Sequence, residues 1–220
     1  MDDKTTDPYS ERDLKRLLKE NGIRLKKRFG QNFLVSRQTA RDFIRFAGVN
    51  DTDTVIEIGA GFLALTTELA KHSKKVIAFE IDRNIAGILE AEFTLPSNAT
   101  LLNEDFLSYD LRTISGGGIK IVGNLPYSVS SQILVKLLND SRLLSEATLG
   151  FQRELARRIT SGPKSRDYGT LSVLSSLLTD MEQGPEIPPG AFFPEPEITS
   201  QVIKFRFKTV SYTHLTLPTN

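Results

Sequence analysis

Five short apolar runs recur through the middle of this chain: TVIEI at 54–58, KVIAF at 75–79, TLL at 100–102, IKIV at 119–122 and ATLGF at 147–151. Each is of strand length, and the segments between them are mostly long enough to carry a crossover helix. Parallel neighbours need such a crossover, whereas antiparallel ones need only a turn. The alternation therefore predicts an α/β fold, a mostly parallel sheet with helices on both faces.

The flanks are read in the same way. Ser10 is placed to cap a helix over ERDLKRLLKE, with Leu14, Leu17 and Leu18 on one face and Asn21-Gly22 as its stop. Ser36 caps a second amphipathic helix whose apolar face holds Ala40, Phe43, Ile44 and Ala47. TLSVLSSLLTDM at 170–181 reads as helix, and the proline-dense GPEIPPGAFFPEPE at 184–197 as an ordered, extended loop lying over something. VIKFRF at 202–207 reads as a late strand pairing at an edge. The tail TVSYTHLTLPTN at 209–220 has no clear period and no charge. It reads as a remnant foreign to the design or as a truncated end, which leaves an N-terminal extension at 1–23 and a main domain at 24–208.

Composition removes several classes of function. The chain has no cysteine, and its two histidines, His72 and His214, are too few and too far apart for a zinc cage. No apolar run approaches the roughly 18 to 20 residues needed to span a bilayer, and MDDKTTDPYSERD lacks the pattern of a secretion signal. A cytoplasmic protein without metal or membrane is expected. The formal net charge of +1 hides a crowd of Arg24, Lys26, Lys27, Arg28, Arg37, Arg41 and Arg45 around the single acid Asp42. Such a segment is either a phosphate-binding face or a solvated charged surface.

Chemistry concentrates after the strand-like runs. In V-I-E-I-G-A-G-F-L at 55–63, Gly59 and Gly61 let the backbone bend sharply and come close to a ligand, ahead of the free N–H groups of a helix. Glu80 ends the second run about twenty residues later, the position from which a carboxylate accepts ribose hydroxyls. Asp105 follows the third run and is placed to accept from an adenine amine. Either acid would serve equally as a turn or helix cap. The third glycine of the dinucleotide fingerprint is missing, since Leu63 and Ala64 occupy that region. A pyrophosphate needs that close approach, so adenosine attached to a sulfonium amino acid fits better than a dinucleotide.

The fourth run leads into N-L-P-Y at 124–127. An exocyclic amine on a nucleobase is a poor nucleophile because its lone pair is delocalised into the ring. Acceptors that draw its protons out of the ring plane make the nitrogen available. The Asn124 side-chain oxygen and the Leu125 carbonyl are suitable acceptors, Pro126 fixes the turn that presents them, and Tyr127 would stack on the base.

Six separated motifs then occur in a familiar order: F-G-Q-N-F-L at 29–34, E-I-G-A-G at 57–61, N-L-P-Y at 124–127, Q-x-E-x-A-x-R at 152–158, Y-G-x-L-S-V at 168–173 and F-x-P-x-P-x-I-x-S at 192–200. Over residues 24–207 the chain resembles the rRNA adenine dimethyltransferases, and within them the small-subunit rRNA branch. The resemblance implies a Rossmann-like, S-adenosylmethionine-dependent methyltransferase fold with a seven-stranded sheet. It implies transfer of methyl groups from S-adenosylmethionine to the amines of two adjacent adenines in a hairpin of a small ribosomal subunit precursor, by a monomer.

It further implies that Gln31, Asn32 and Leu34 pack on the methionine part of the cofactor. Gly59 and Gly61 would form its floor, Glu80 would bind ribose and Asp105 adenine, with Asn124 shared between cofactor and target. Phe192 would stack on the second face of the target base, although outside the family such a residue is more often core. Arg153, Arg157, Arg158, Lys164 and Arg166 would meet RNA phosphate, or form a solvated helix face. Ala60 and Leu63 stand where the family usually has Pro and Gly, and Glu104 where it commonly has Gly. Relatives continue into a small helical domain that is absent from this sequence. Three rival readings are a large-subunit enzyme of the resistance type, an idle RNA-binding assembly factor, and a methylase of protein glutamine amides.

Overall fold

The computed structural model describes residues 6–23, 31–114 and 118–208. Its helices begin and end where side-chain chemistry dictates. Helix α1 (Glu11–Glu20) is capped by Ser10 Oγ, which accepts from the Asp13 amide at 3.2 Å, and it ends at Asn21 before Gly22 at φ 62°. Helix α2 (Arg37–Ala47) is capped by Ser36 and closed by Gly48 in the left-handed conformation. The two helices bury Leu14, Leu17, Leu18, Ala40, Phe43, Ile44 and Ala47 in one core, so the helix of the N-terminal extension packs on the main domain. Tyr9 adds a tie, its hydroxyl donating to the Ala64 carbonyl at 2.7 Å.

The central sheet has seven strands: β2 (Thr54–Ile58), β3 (Lys75–Phe79), β4 (Ala99–Leu102), β5 (Ile119–Asn124), β6 (Leu144–Gln152), β7 (Thr179–Ile187) and β9 (Ser200–Phe207). Their order is β4-β3-β2-β5-β6-β9-β7. Pairings from β4 through β6 are parallel, and β9 is antiparallel to both β6 and β7. Between the strands run α3 (Ala64–Ala70), α4 (Arg83–Glu92), α5 (Ser130–Asn139), α6 (Arg153–Thr160) and α7 (Thr170–Leu178). A two-stranded ribbon pairs β1 (Phe33–Leu34) with β8 (Phe192–Phe193).

Alternation along each strand divides the core in two. Val55, Val76 and Ala78 join the layer of α1, α2, α3 and α4, whereas Ile56, Ile58, Ile77 and Phe79 join the layer of α5 and α6. All five apolar runs are strands, as the sequence predicts. The chain leaves β2 toward β3 and β4 and then returns to β5 on the other side. That reversal opens a crevice at the carboxyl ends of β2 and β5, the usual place for a ligand in such sheets.

Three expectations change. The helix predicted over 170–181 stops at Leu178, and Thr179, Asp180 and Met181 begin β7. The proline-dense segment is correspondingly shorter as a loop, because its GPEI closes that strand. Strand β7 sits at the sheet edge, where a register irregularity between Gln183 and Glu186 accommodates Gly184 and Pro185, so neither period nor β-propensity betrays it. VIKFRF is not at an edge: β9 is flanked on both sides, and Ser200 through Phe205 are all buried.

The basic segment is also less free than its composition suggests. Arg24, Lys26, Lys27 and Arg28 lie outside the described residues, as does the 209–220 tail. Arg37 meets Asp7 at 3.0 Å, Arg41 meets Glu68 at 3.8 Å and Arg45 meets Asp42 at 2.7 Å. Each described arginine of the segment therefore has a carboxylate partner. Among the described residues no helix is long and apolar enough to cross a membrane, and no group of three His, Asp or Glu side chains is placed to hold a metal.

Candidate active site

At the end of β2 the chain turns through Gly59 at φ 81° and Gly61 at φ 53°, values that glycine adopts without steric cost. The amides of Gly59 and Ala60 both donate to the Phe79 carbonyl, at 2.9 and 2.8 Å, which pins the turn to the end of β3. A Cβ on Gly61 would lie 3.0 Å from the Phe33 ring, so the turn also fits under β1. Leu63, in the family's glycine position, adopts φ 66° with its side chain buried. A non-glycine residue there stores about 1–2 kcal/mol of strain, held by the packing around it.

Glu80 lies beneath this turn, 6% exposed. Its two oxygens accept from the amides of Gly61 and Asp82, each at 2.9 Å. Burial nevertheless pushes its carboxyl up to about 6, the two N–H donors pulling the other way. The sequence reading passed over a second buried acid, Glu57, which accepts from the Thr66 hydroxyl. Burial pushes Glu57 up to about 8, and the nearby Glu80 charge adds to the effect. The available signal was a carboxylate inside an apolar strand, one residue pair before the glycine turn.

The facing wall comes from β5. A Cβ on Gly123 would stand 2.8 Å from the Ile58 carbonyl oxygen, so this glycine lets β2 and β5 close up just below the crevice. Asn124 follows, its Nδ2 donating to the Asn32 carbonyl at 3.4 Å. Its Oδ1 is buried and has no partner among the described residues. An unpaired buried acceptor costs about 1–3 kcal/mol, a cost that a donor on a ligand in the cavity would offset. Beyond it the Leu125 amide donates to the Gly150 carbonyl and the Val129 amide to the Pro126 carbonyl, fixing the turn. Tyr127 is half-buried, and burial raises its phenol above the ordinary value, so it stays neutral.

These walls enclose a cavity of about 210 Å³. Gln31, Asn32, Leu34, Gly59, Gly61, Glu80, Asp105, Asn124 and Tyr127 all line it, together with Glu57, Ile81, Phe106 and Ile133, which the sequence reading did not nominate. Asp105 partly follows its capping alternative, since its Oδ1 accepts from the Leu107 amide at 2.9 Å. Phe192 departs from the expectation. It is 3% exposed, pairs with Leu34 across the ribbon and packs in the core, away from the cavity lining. Of the five basic residues expected at phosphate, Arg157 meets Asp167 at 2.8 Å and Arg153 meets Glu186 at 3.5 Å, while Arg158, Lys164 and Arg166 are exposed.

The residues fit an adenosyl sulfonium ligand. A Cβ on Gly59 would occupy the gap between the two turns, 3.9 Å from the Asn124 carbonyl oxygen and Pro126 Cδ, and glycine leaves that gap open. Glu80 retains lone pairs for hydroxyl donors. The cavity wall is chiefly apolar, with carboxylates at one side, which suits a cationic head and a flat base.

Comparisons with known proteins agree with this geometry. Residues 22–216 match the family model for ribosomal RNA adenine dimethylase. The chain is 42% identical over 194 residues to the ribosomal RNA small subunit methyltransferase A of Desulforapulum autotrophicum, covering 87% of this chain and 68% of that protein. It is 40% identical over 182 residues to the protein of the same name from Acidobacterium capsulatum, covering 82% and 64%. The chain thus spans about two thirds of the length of these curated relatives. Among solved structures, a dimethyladenosine transferase from Plasmodium falciparum superposes with a TM-score of 0.68 at 25% identity, over 80% of this chain and 63% of that one. The 23S rRNA methyltransferase ErmE gives 0.66 at 27% identity, over 81% and 70%. The chain belongs to the ribosomal RNA adenine dimethylase family and has the Rossmann-like fold of S-adenosylmethionine-dependent methyltransferases.

Proposed function

We propose that this protein transfers methyl groups from S-adenosylmethionine to the exocyclic amines of two adjacent adenines in a small-subunit rRNA hairpin. It acts as a cytoplasmic monomer on a ribosomal subunit precursor, and dimethyladenosine is the product. The observation that carries this reading is the buried Oδ1 of Asn124, which lies at the end of β5 in the cavity lining and has no partner among the described residues.

When bound, S-adenosylmethionine supplies an electrophilic methyl carbon. Glu80, ionised at neutral pH, would accept from the ribose hydroxyls, and Asp105 from the cofactor's adenine amine. Gln31, Asn32 and Leu34 would hold its amino-acid end, and Gly59 and Gly61 would form its floor. On the target side, Asn124 Oδ1 and the Leu125 carbonyl accept the two amine protons and draw the nitrogen lone pair out of conjugation. The Tyr127 ring stacks on the base, a contact worth about 1–3 kcal/mol. These acceptors need take no proton before attack, and the proton of the methylated amine would pass to solvent afterwards. Holding amine and methyl carbon in line would contribute several kcal/mol, on the order of 7–11 in the best oriented systems.

The likeness to ErmE supports one second reading, a large-subunit rRNA substrate. Small and large subunit precursors incubated separately with methyl-labelled cofactor, then digested and analysed by mass, separate the two. Dimethyladenosine from the small subunit alone supports the proposal, and signal from the large subunit alone overturns it.

A further inference from the structure

We infer that Ser200 is a positioning residue of the transfer site: its hydroxyl holds the Tyr127 ring and so joins the Asn-Leu-Pro-Tyr turn to the strand that follows the proline-dense segment. The inference rests on the function proposed above. Tyr127 Oη and Ser200 Oγ lie 2.7 Å apart, across 73 residues of sequence. Ser200 is fully buried and begins β9, with its backbone registered against Gln152 of β6 and Ile187 of β7. The Arg153 amide donates to the Thr199 carbonyl at 3.0 Å and fixes the approach to it. This anchor sits on three strands and has little freedom to move.

The Tyr127 side chain lacks such support from its own turn. The Val129 amide bonds the Pro126 carbonyl at 3.1 Å and Ser130 Oγ bonds the Tyr127 carbonyl at 3.2 Å. Both bonds set the backbone and leave the ring's torsions open. A half-buried tyrosine directs its apolar body by what its hydroxyl finds, and here it finds Ser200. Strand β9 alone gives no reason for a hydroxyl at this position, since buried hydroxyls are tolerated only when paired. The last serine of the F-x-P-x-P-x-I-x-S motif thus gains a role: it fixes the angle at which the ring meets a base.

A double-mutant cycle on the full chain tests this, using Ser200→Ala, Tyr127→Phe and the combination, with Ser200→Thr as the conservative variant. Transfer to small-subunit precursor RNA is measured together with cofactor Kd, and with hydrogen exchange of peptides covering 124–130 in the cofactor-free protein. Each single change should lower kcat about tenfold, the size expected for one neutral hydrogen bond. Cofactor Kd should hold, the double variant should be no slower than either single one, and Ser200→Thr should recover most of the rate. Exchange over 124–130 should quicken in both single variants. Multiplying effects, or unchanged exchange in Ser200→Ala, would overturn the inference. Failure of the wild-type chain to methylate RNA would instead remove the proposed function, while the exchange data still decide whether the tether exists.

Discussion

The two ends of the central sheet are built on opposite principles. At the amino end of β5, Lys120 lies 2.8 Å from Asp53 and 3.6 Å from Glu146, and Arg206 bridges Glu146 at 3.3 Å and Glu182 at 2.7 Å. Every charge in that group is met by an opposite one. Four residues along the same strand, Asn124 keeps an acceptor that is unpaired among the described residues, and Glu57 and Glu80 are buried carboxyls held up near 8 and 6. One end satisfies its polar groups internally and serves stability. The other holds polar capacity in reserve and is arranged for a ligand.

The strongest way to break this contrast is Asn124→Ala. Turnover should fall by about 10²–10³, as when a transition-state hydrogen-bonding group is removed. Cofactor affinity and melting temperature should change far less, because the lost oxygen has no partner among the described residues and the lost amide makes one long bond, 3.4 Å to the Asn32 carbonyl. A large drop in melting temperature with rate intact would assign Asn124 to the stabilising class.

Titration gives the next effect. Glu57 has its folded-state value raised above the ordinary carboxylate range, so the folded protein binds more protons than the unfolded chain between roughly pH 4.5 and 8. Its contribution to stability is therefore lost as pH rises through that window. Glu57→Gln, which keeps an acceptor for Thr66, should flatten the dependence and gain about 1–3 kcal/mol over wild type above pH 8, read from denaturant unfolding across pH. Glu80 acts on the ligand in the opposite sense. Cofactor affinity should weaken as pH falls below about 6, where its carboxyl becomes protonated, and titration calorimetry at stepped pH checks this.

At the paired end, Lys120→Met should cost about 1–3 kcal/mol, between the values for exposed and buried ion pairs. It should leave kcat and cofactor Kd unchanged; a selective loss of turnover would erase the division of labour. Arg45→Ala should do least. Its pair with Asp42 is exposed, so unfolding free energy should move by no more than about 0.5 kcal/mol.

Much of this was legible in the sequence, for reasons that differ by element. Four of the five apolar runs gave inner strands because burial on both faces leaves a short uninterrupted signal, while the fifth, TLL, is the edge strand β4 and was legible from its spacing to the others. Ser10, Ser36 and Gly22 marked helix ends because caps act through neighbouring atoms. Glu80 was legible from its distance to the glycines. Strand β7 was not, because an edge strand interrupted by Gly184 and Pro185 resembles a loop. The depth of Phe192 agrees with the core alternative, whereas its two-residue pairing with Leu34 is encoded by no local pattern. Glu57 and Ser200 depend on what the fold brings near them, Thr66 in one case and Tyr127 in the other.

The small ribbon carries a consequence for synthesis. Phe33 and Leu34 find their strand partners in Phe193 and Phe192, and the Val35 amide bonds the Ala191 carbonyl at 2.8 Å. While the chain is still being translated, the glycine bend and both acids emerge long before the segment that pairs with Phe33 and Leu34, next in sequence to Gln31 and Asn32. Ligand competence should arrive late and abruptly on the ribosome, once residues near 193 clear the exit tunnel.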